Sequence, residues 1–154
     1  MDFLINSVKN LKSFKEVNNS IKNSKNTAVF GSEEAVLSLF APAFNDLGKK
    51  VCVISQNRVT ARKTYEDISS ISSANCLLYP EKDVFFYERD SKSKENTKKR
   101  LEAMAEVSSD RADIVVTTLN ALTAKISKRE IFSSYKINIK AESQISLEEL
   151  RVKL

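Results

Sequence analysis

The sequence contains no histidine and no tryptophan, and only two glycines, two prolines and two cysteines among its 154 residues. Without histidine, Ser-His-Asp and Cys-His catalytic arrangements are excluded, and two cysteines are too few for the usual zinc site. Two glycines leave few backbone positions that can adopt positive φ at low cost. A domain built on glycine-rich loops is therefore not expected.

Long apolar runs are also missing. No stretch approaches the ~20 consecutive apolar residues of a membrane-spanning helix. The apolar residues of segment 1–17 are interrupted by Asn, Lys and Ser, unlike those of a signal peptide. We therefore predict a cytoplasmic protein without membrane contact, in which Cys52 and Cys76 are buried thiols. The net charge of +5 permits a polyanionic partner but does not require one.

The spacing of apolar residues alternates between helical and extended periods along the chain. It predicts helices at 2–23, 32–47, 56–71 and 92–109, and strands at 27–30, 51–55, 75–80, 113–118 and 135–140. This alternation is typical of an α/β domain with a mostly parallel sheet flanked by helices. We expect this domain to occupy residues 1–134, and residues 135–154 to be the truncated start of a following domain in a longer protein.

Three local features refine this prediction. The nearly continuous apolar run at 51–55 predicts a strand that is buried on both faces. Pro42 lacks an N–H group and is expected to kink or restart the helix at 32–47. Gly48 is expected to end that helix, because glycine readily adopts the left-handed conformation that follows many helices.

Residues 28–40, AVFGSEEAVLSLF, have the order of a phosphate-binding loop: a short apolar strand, a glycine and an amphipathic helix. A working loop needs several glycines, a lysine for the β- and γ-phosphates and a hydroxyl group for magnesium. This segment has one glycine, no lysine and two carboxylates in the first turn of the helix. Those carboxylates meet the positive end of the helix dipole and would repel a triphosphate. We interpret Gly31, Ser32, Glu33 and Glu34 as the relic of a nucleotide loop that no longer binds nucleotide.

Polar side chains follow two of the predicted strands, where ligands of open α/β sheets usually bind. Thr118 and Asn120 follow the strand at 113–118, and Asn57 and Arg58 follow the strand at 51–55. Hydroxyl, amide and guanidinium groups suit contacts with phosphate groups of DNA. The alternative is that Thr118 and Asn120 cap the helix that follows the strand at 113–118. Asn57 and Arg58 would then belong to the ordinary polar face of their helix.

The basic residues are densest in the segment 89–100, RDSKSKENTKKR. Such a cluster is expected either at a solvated helix start or on a face that contacts phosphates. If the second alternative holds, Lys98, Lys99 and Arg100 are the candidate DNA-contacting residues. No metal site and no catalytic residue is predicted anywhere in the chain.

Five segments together resemble the N-terminal region of the bacterial transcription-repair coupling factors (Mfd), a region similar to the first domain of the excision-repair protein UvrB. They occur in the same order and spacing and cover nearly the whole chain: VFGSEEAVLSL, VCVISQNRVTARKTYEDI, YPEKDVFFYERDSKSKENTKKRLEAM, ADIVVTTLNAL and SLEELRVKL. No single segment is specific, and the specificity lies in their combination. The resemblance implies a P-loop NTPase- or helicase-like α/β fold, similar to UvrB domain 1a, with a degenerate nucleotide loop.

The resemblance also implies a function. Complete members of this family are DNA translocases that use ATP and magnesium, displace RNA polymerase stalled at DNA damage and recruit UvrA for nucleotide excision repair. The motor lies outside this region, which implies a non-catalytic scaffold and regulatory module without a cofactor of its own. Its partners would be the other domains of the same chain, UvrA through the domain that begins near residue 135, and DNA and RNA polymerase through the complete protein.

The chain departs from UvrB at the aromatic hairpin that probes damaged DNA there. Segment 79–90 is too short for such a hairpin, so Phe85, Phe86 and Tyr87 are expected to pack locally. The segment that contains Asn57 and Arg58 matches a helicase motif that contacts DNA in active relatives. The alternative function is a nucleic-acid-binding adaptor that uses the basic segment 89–100.

The relic interpretation predicts that restoring a lysine does not restore an enzyme. The Glu33→Lys variant should fold and still hydrolyse no ATP, because the glycines and the magnesium ligands of a working loop remain absent. A phosphate-release assay with millimolar ATP and magnesium measures this, with the unaltered chain as the control. Turnover by the variant would contradict the interpretation.

Overall fold

A computed structural model describes residues 2–30, 34–82, 90–135 and 151 of the chain. The described elements follow one another as α1 (Asp2–Asn10), α2 (Lys12–Lys22), α3 (Glu34–Asp46), β1 (Val51–Ser55), α4 (Arg58–Ile71), β2 (Cys76–Leu78), α5 (Asp90–Ser108), β3 (Ile114–Thr118), α6 (Leu119–Thr123) and α7 (Arg129–Ser134). The chain divides into two units, Met1–Ala124 and Lys125–Leu154. The first unit contains every described strand, and α7 lies in the second.

The three described strands form a parallel sheet in the order β1-β3-β2. Strand β3 is central, with Ile114 beside Val51 on one edge and beside Cys76 on the other. Parallel strands need long crossover connections, which α4 supplies between β1 and β2 and α5 supplies between β2 and β3. The predicted α/β class with a parallel sheet flanked by helices is confirmed.

Helices cover the sheet on both faces. On one face Val53, Ile114 and Val116 pack with Ile68 of α4 and Ala41 of α3. Complete burial of an isoleucine such as Ile68 stabilises a fold by roughly 1.5–3 kcal/mol. On the other face Val115 packs in a smaller cluster with three buried residues, Tyr79, Ala103 and Ala121. The central strand is thus enclosed between two layers of helices.

A cluster of three phenylalanines joins α2 to α3. The ring centroid of Phe14 lies 4.6 Å from that of Phe44 and 5.2 Å from that of Phe40. Ile5 and Val8 of α1 belong to the same cluster. The prediction of a single helix at 2–23 is wrong. The helical conformation is interrupted between α1 and α2 at an extended residue, Leu11. The break lets apolar residues of both helices reach the same surface of α3.

Other predictions need correction. No strand forms at 27–30, where Phe30 is 91% exposed, because an extended segment needs a strand partner for its backbone and none is described beside it. The predicted restart of the helix at Pro42 is not found, since α3 is continuous and Pro42 is buried in it, whereas a kink there stays a prediction. Gly48 follows α3 with φ of +76°, which confirms its predicted role.

The predictions for β1 and its cysteine also differ from the structure. Only one face of β1 is buried, because the helices that cover β3 do not extend over Cys52 and Ile54. Cys52 is exposed rather than buried, and Cys76 is half-buried. The strand predicted at 135–140 lies outside the described residues except for its first residue. None of the helices that the structure describes is long and apolar enough to cross a membrane.

The phenylalanine cluster predicts a large effect of one truncation. Phe14→Ala should lower the free energy of unfolding by roughly 3–5 kcal/mol, because the ring is 1% exposed and its removal leaves a cavity between α2 and α3. Chemical denaturation followed by circular dichroism measures the loss. Phe30→Ala is the matched control, and it should have almost no effect. Equal effects of the two substitutions would contradict the described packing.

Candidate functional site

The candidate site lies at the carboxyl edge of the sheet, where β1 ends at Ser55, β2 at Leu78 and β3 at Thr118. Ligands of open α/β folds bind at this edge because helix starts and loops converge there. Here α4 begins shortly after β1, and α6 begins directly after β3. The segment Tyr79–Lys82 follows β2. The polar side chains of these three connections determine what the edge can do.

The carboxylate of Glu81, in the connection after β2, accepts hydrogen bonds from residues of the other two connections. Its Oε2 accepts a hydrogen bond of 2.7 Å from Nε of Arg58, at the start of α4. Its Oε1 accepts one of 2.7 Å from Oγ1 of Thr118, at the end of β3. The Glu81 side chain is only 14% exposed. A charge-assisted network at low exposure therefore ties the ends of the strands together.

The surroundings of Glu81 stabilise its charged form. The hydrogen bonds donated by Thr118 and Arg58 are the main causes that lower the pKa of the carboxyl group, and a bond from Asn120 adds to them. Each of these donors binds the ionised carboxylate more strongly than the protonated acid. Glu81 is therefore ionised at neutral pH, and its charge faces the cation of Arg58.

Two of the predicted site residues cap helices. Oδ1 of Asn57 accepts a hydrogen bond of 2.9 Å from the backbone N–H of Thr60, at the start of α4. Oγ1 of Thr118 accepts one of 3.3 Å from the N–H of Ala121, in α6. The capping alternative therefore describes Thr118, whereas the cap formed by Asn57 was not predicted. Contact of these residues with DNA stays a prediction. Asn120 is placed beside Glu81 rather than in a cap.

Arg100 of α5 fixes the segment that carries Glu81. Its guanidinium carbon lies 4.3 Å from the centre of the Tyr79 ring, and its N–H groups donate to the Tyr79 hydroxyl and to the Pro80 carbonyl. Asn96, one turn earlier in α5, donates a hydrogen bond of 2.7 Å to the carbonyl of Glu81. Arg100 therefore acts as a packing residue of this segment rather than as a cation that faces solvent.

Two lysines of the basic segment, Lys98 and Lys99, pair with glutamates of their own helix. Nζ of Lys99 lies 2.8 Å from Oε1 of Glu95, and Nζ of Lys98 lies 3.8 Å from Oε1 of Glu102. Exposed pairs of this kind are weak and exchange readily with other partners. They lower the local positive charge without fixing the two lysines in place.

A cleft of about 220 Å³ lies between the start of α4 and α5. Its lining includes Arg58, Arg62, Glu81, Lys99 and Thr118. Three sequence-predicted residues from distant segments, namely Arg58, Lys99 and Thr118, are therefore brought together. The cleft is smaller than the ~300–1,000 Å³ of typical small-molecule pockets, so its size suits a single phosphate group better than a nucleotide.

The described part of the chain contains no cluster of three or more acidic, cysteine or histidine residues that could hold a metal ion. Three of the four relic residues, Gly31, Ser32 and Glu33, lie outside the described residues, as do Phe85, Phe86 and Tyr87. Glu34 is the first residue of α3.

Glu81 was not among the predicted site residues, although it is the centre of the network. No motif marks it. The sequence offered one indication of its role. Glu81 is a carboxylate directly after Pro80, at the end of the strand predicted at 75–80, in a basic chain.

The chain is similar to the transcription-repair-coupling factor of Bacillus subtilis. The two are 25% identical over 157 aligned residues, which cover the whole of this chain and 13% of the relative. The chain thus spans about one eighth of the length of that relative. No protein-family model and no solved structure matches the chain. The similarity supports a relation to transcription-repair coupling and agrees with the resemblance seen in the sequence.

The network predicts that Glu81 makes stability depend on pH. Because its pKa is lowered in the folded chain, its contribution is present above the unfolded pKa and is lost as the pH falls through the folded pKa. Glu81→Gln should destabilise the chain at pH 7 by roughly 1–3 kcal/mol, since charge-assisted bonds are lost. The difference between the two proteins should shrink as the pH falls below the ordinary pKa of a glutamate and through the lowered pKa of Glu81.

Thermal unfolding of both proteins at several pH values measures this dependence. Glu95→Gln is the matched control, because its carboxylate is exposed and its described partners are neighbouring lysines of α5. It should change stability little at any pH. A constant difference between the wild-type chain and Glu81→Gln from pH 3 to pH 7 would show that ionised Glu81 does not stabilise the edge.

Proposed function

We propose that the chain is a non-catalytic scaffold and regulatory module of a transcription-repair coupling factor. The observation that carries this proposal is the alignment of the whole chain with such a factor from Bacillus subtilis. The complete protein would be an ATP-dependent DNA translocase that displaces stalled RNA polymerase and recruits UvrA for nucleotide excision repair. ATP and magnesium would serve that motor, outside residues 1–154.

The contacts at the carboxyl edge support a structural role for this module. The carboxylate of Glu81 accepts hydrogen bonds from the side chains of Arg58 and Thr118. The first turns of α4 and α6 are capped by side chains of the chain itself. A nucleotide site needs free backbone donors at such helix starts. The two carboxylates at positions 33 and 34 add to this argument from the sequence, because they disfavour a triphosphate there.

The proposed partners follow from the same relation. Other domains of the same chain would contact this module, and UvrA would bind through the domain that begins near residue 135. DNA and RNA polymerase would bind the complete protein, in the cytoplasm.

The alternative, a nucleic-acid-binding adaptor, draws support from the cleft in which Arg58 and Lys99 converge. It has the weaker support, since both cations already have carboxylate partners.

The proposal predicts the repair phenotype of cells that lack the gene. After ultraviolet irradiation, these cells should remove lesions from the transcribed strand no faster than from the non-transcribed strand. Strand-specific measurement of lesion removal tests this, and the reintroduced wild-type gene is the control. A preserved preference for the transcribed strand would reject a role in coupling, whereas equal slowing of repair on both strands would favour a general adaptor.

A further inference from the structure

The outer edge of β2 lies in a groove between α4 and α5. Strand β2 is an end strand of the described sheet, and its described strand partner is β3. Ile68 of α4 packs on one face of the sheet, and Ala103 of α5 packs on the opposite face. Side chains of both helices line a cleft of about 400 Å³, together with Leu77 and Leu78 of β2. The edge of β2 therefore has a helix on each side of it.

The backbone of β2 offers hydrogen-bonding groups to this groove. The N–H of Tyr79 donates to the carbonyl of Val116, on the β3 side. Because successive residues of a strand direct their N–H and C=O groups to opposite edges, Cys76 and Leu78 direct theirs outward. Within the described part of the chain, no backbone group pairs with these two residues on the outer side. Pro80 lacks an N–H and ends the edge that can pair.

The centre of the groove is apolar. The three residues of β2, CLL, carry no charge, and each is only half-buried. Tyr65 of α4 and Ala103 of α5 line the cleft from opposite faces of the sheet. An apolar strand with a helix on each face has the surroundings of an inner strand of a parallel sheet. An extended segment placed beside β2 would thus find apolar contacts on both of its faces.

The two ends of the groove differ in charge. The cleft of about 220 Å³ at the carboxyl edge shares Arg62, Leu78 and Lys99 with the larger cleft, so the two form one continuous groove. At this junction Arg62 belongs to the α4 side and Lys99 to the α5 side. The part of the groove that lies farther from the carboxyl edge is lined by three carboxylates, those of Glu66, Glu102 and Glu106.

The cations at the junction are accessible to a ligand. Nε of Arg62 lies 2.9 Å from Oε1 of Glu66, and Nζ of Lys99 lies 2.8 Å from Oε1 of Glu95. All four of these side chains are more than half exposed. Exposed ion pairs contribute little to stability and exchange partners readily. A carboxylate that enters the groove at the junction can therefore contact both cations.

We propose that this groove binds an extended peptide segment of a partner protein, which pairs with the outer edge of β2. The middle of the segment is apolar, an acidic residue at one end lies between Arg62 and Lys99, and a basic residue at the other end lies near Glu102 and Glu106. A nucleic acid fits this groove less well, because the glutamates repel phosphates and the centre is apolar. The inference goes beyond the proposed coupling function and does not depend on it.

The length of the groove sets the length of the bound segment. The lining residues of α5 extend from Asn96 to Glu106, which is roughly 15 Å along the helix axis. At ~3.3 Å per residue, this distance matches about four or five residues of a strand. So short a contact buries less than the ~1,000 Å² of a stable interface, so the binding is expected to be weak and transient.

A synthetic hexapeptide tests the proposal. The acetylated and amidated peptide RVIVTD has an apolar middle and charges of opposite sign at its ends. The scrambled peptide RVDIVT has the same composition, with its carboxylate in the middle. Each is titrated into the isotope-labelled 154-residue chain, and NMR follows the backbone amides. We expect RVIVTD to bind saturably with a Kd below about 1 mM, and RVDIVT to bind at least about tenfold more weakly, because its carboxylate meets the apolar centre.

Hydrogen exchange separates strand pairing from contact through side chains alone. The N–H of Leu78 faces the groove, so saturating RVIVTD should slow its exchange at least about tenfold. The N–H of Leu77 faces β3 by the same alternation and is the internal control, because the peptide leaves its hydrogen bond unchanged. Unchanged exchange of the Leu78 amide in the complex would reject strand pairing.

A charge reversal tests the role of the junction. Arg62→Glu should weaken the binding of RVIVTD at least about threefold, because the carboxylate of the peptide then meets a like charge. Lys63→Glu is the matched control, since it makes the same change on the neighbouring residue of α4, which does not line the groove. It should leave the affinity unchanged. Both residues are exposed, so the circular dichroism spectra of the two variants should match that of the unaltered chain.

Several outcomes would overturn the proposal. RVIVTD might be replaced by RVDIVT without loss of affinity, or show no saturable binding up to about 2 mM. Equal effects of Arg62→Glu and Lys63→Glu would also reject it. Slow exchange of the Leu78 amide in the chain without peptide would show that the groove is already occupied. If this protection increases with protein concentration, a second copy is the occupant, and if it does not, another part of the same chain is. None of these results changes the expected repair phenotype, which tests the coupling function separately.

Discussion

The hydrogen bonding of β3 on both of its edges is the constraint on which the rest of the domain depends. A strand that is paired on both sides and covered on both faces is expected to carry apolar residues on both faces. Ile114 and Val116 are fully buried on one face, and Val115 packs in the cluster on the other. Thr117 is buried as well, and its hydroxyl donates to the carbonyl of Tyr79. The central strand thereby fixes where β1 and β2 end, and the candidate site is built on those ends.

Electrostatics at this edge depend on the half-buried carboxylate of Glu81. In a chain of net charge +5, Glu81 is held by Arg58 and by the neutral donor Thr118. Removal of an ionised group from water is costly unless donors replace the water, and here they do. The same pairing limits what Arg58 can offer to an outside phosphate. Glu81 and an outside phosphate therefore compete for the guanidinium group of Arg58.

Much of the fold is visible in the sequence because its determinants are local. Strand β1 is found at 51–55 as predicted, and α4 occupies Arg58–Ile71 within the helix predicted at 56–71. The break at Leu11 was missed because it depends on how two helices share the surface of α3. Exposure of Ile54 was missed because an apolar run does not show which neighbours cover it.

The site was less predictable than the fold. Asn57 and Thr118 stood out because polar residues after strands are recognisable, and the structure uses both as caps. Glu81 could not be recognised, since its role comes from partners 23 and 37 positions away in the sequence. Contacts of that range are created by the crossover connections of a parallel sheet and leave no local pattern.

The parallel pairing of β1 with β3 has a mechanical consequence. The chain enters β1 at the amino edge of the sheet and leaves β3 at the carboxyl edge. Tension between these two points runs along the strands, so it loads the β1–β3 hydrogen bonds together instead of opening them one after another. At the amino end of this pair, Lys50 donates hydrogen bonds to the turn before β3. At the carboxyl end, Glu81 accepts a hydrogen bond from Thr118. Such a sheet resists shear along its strands.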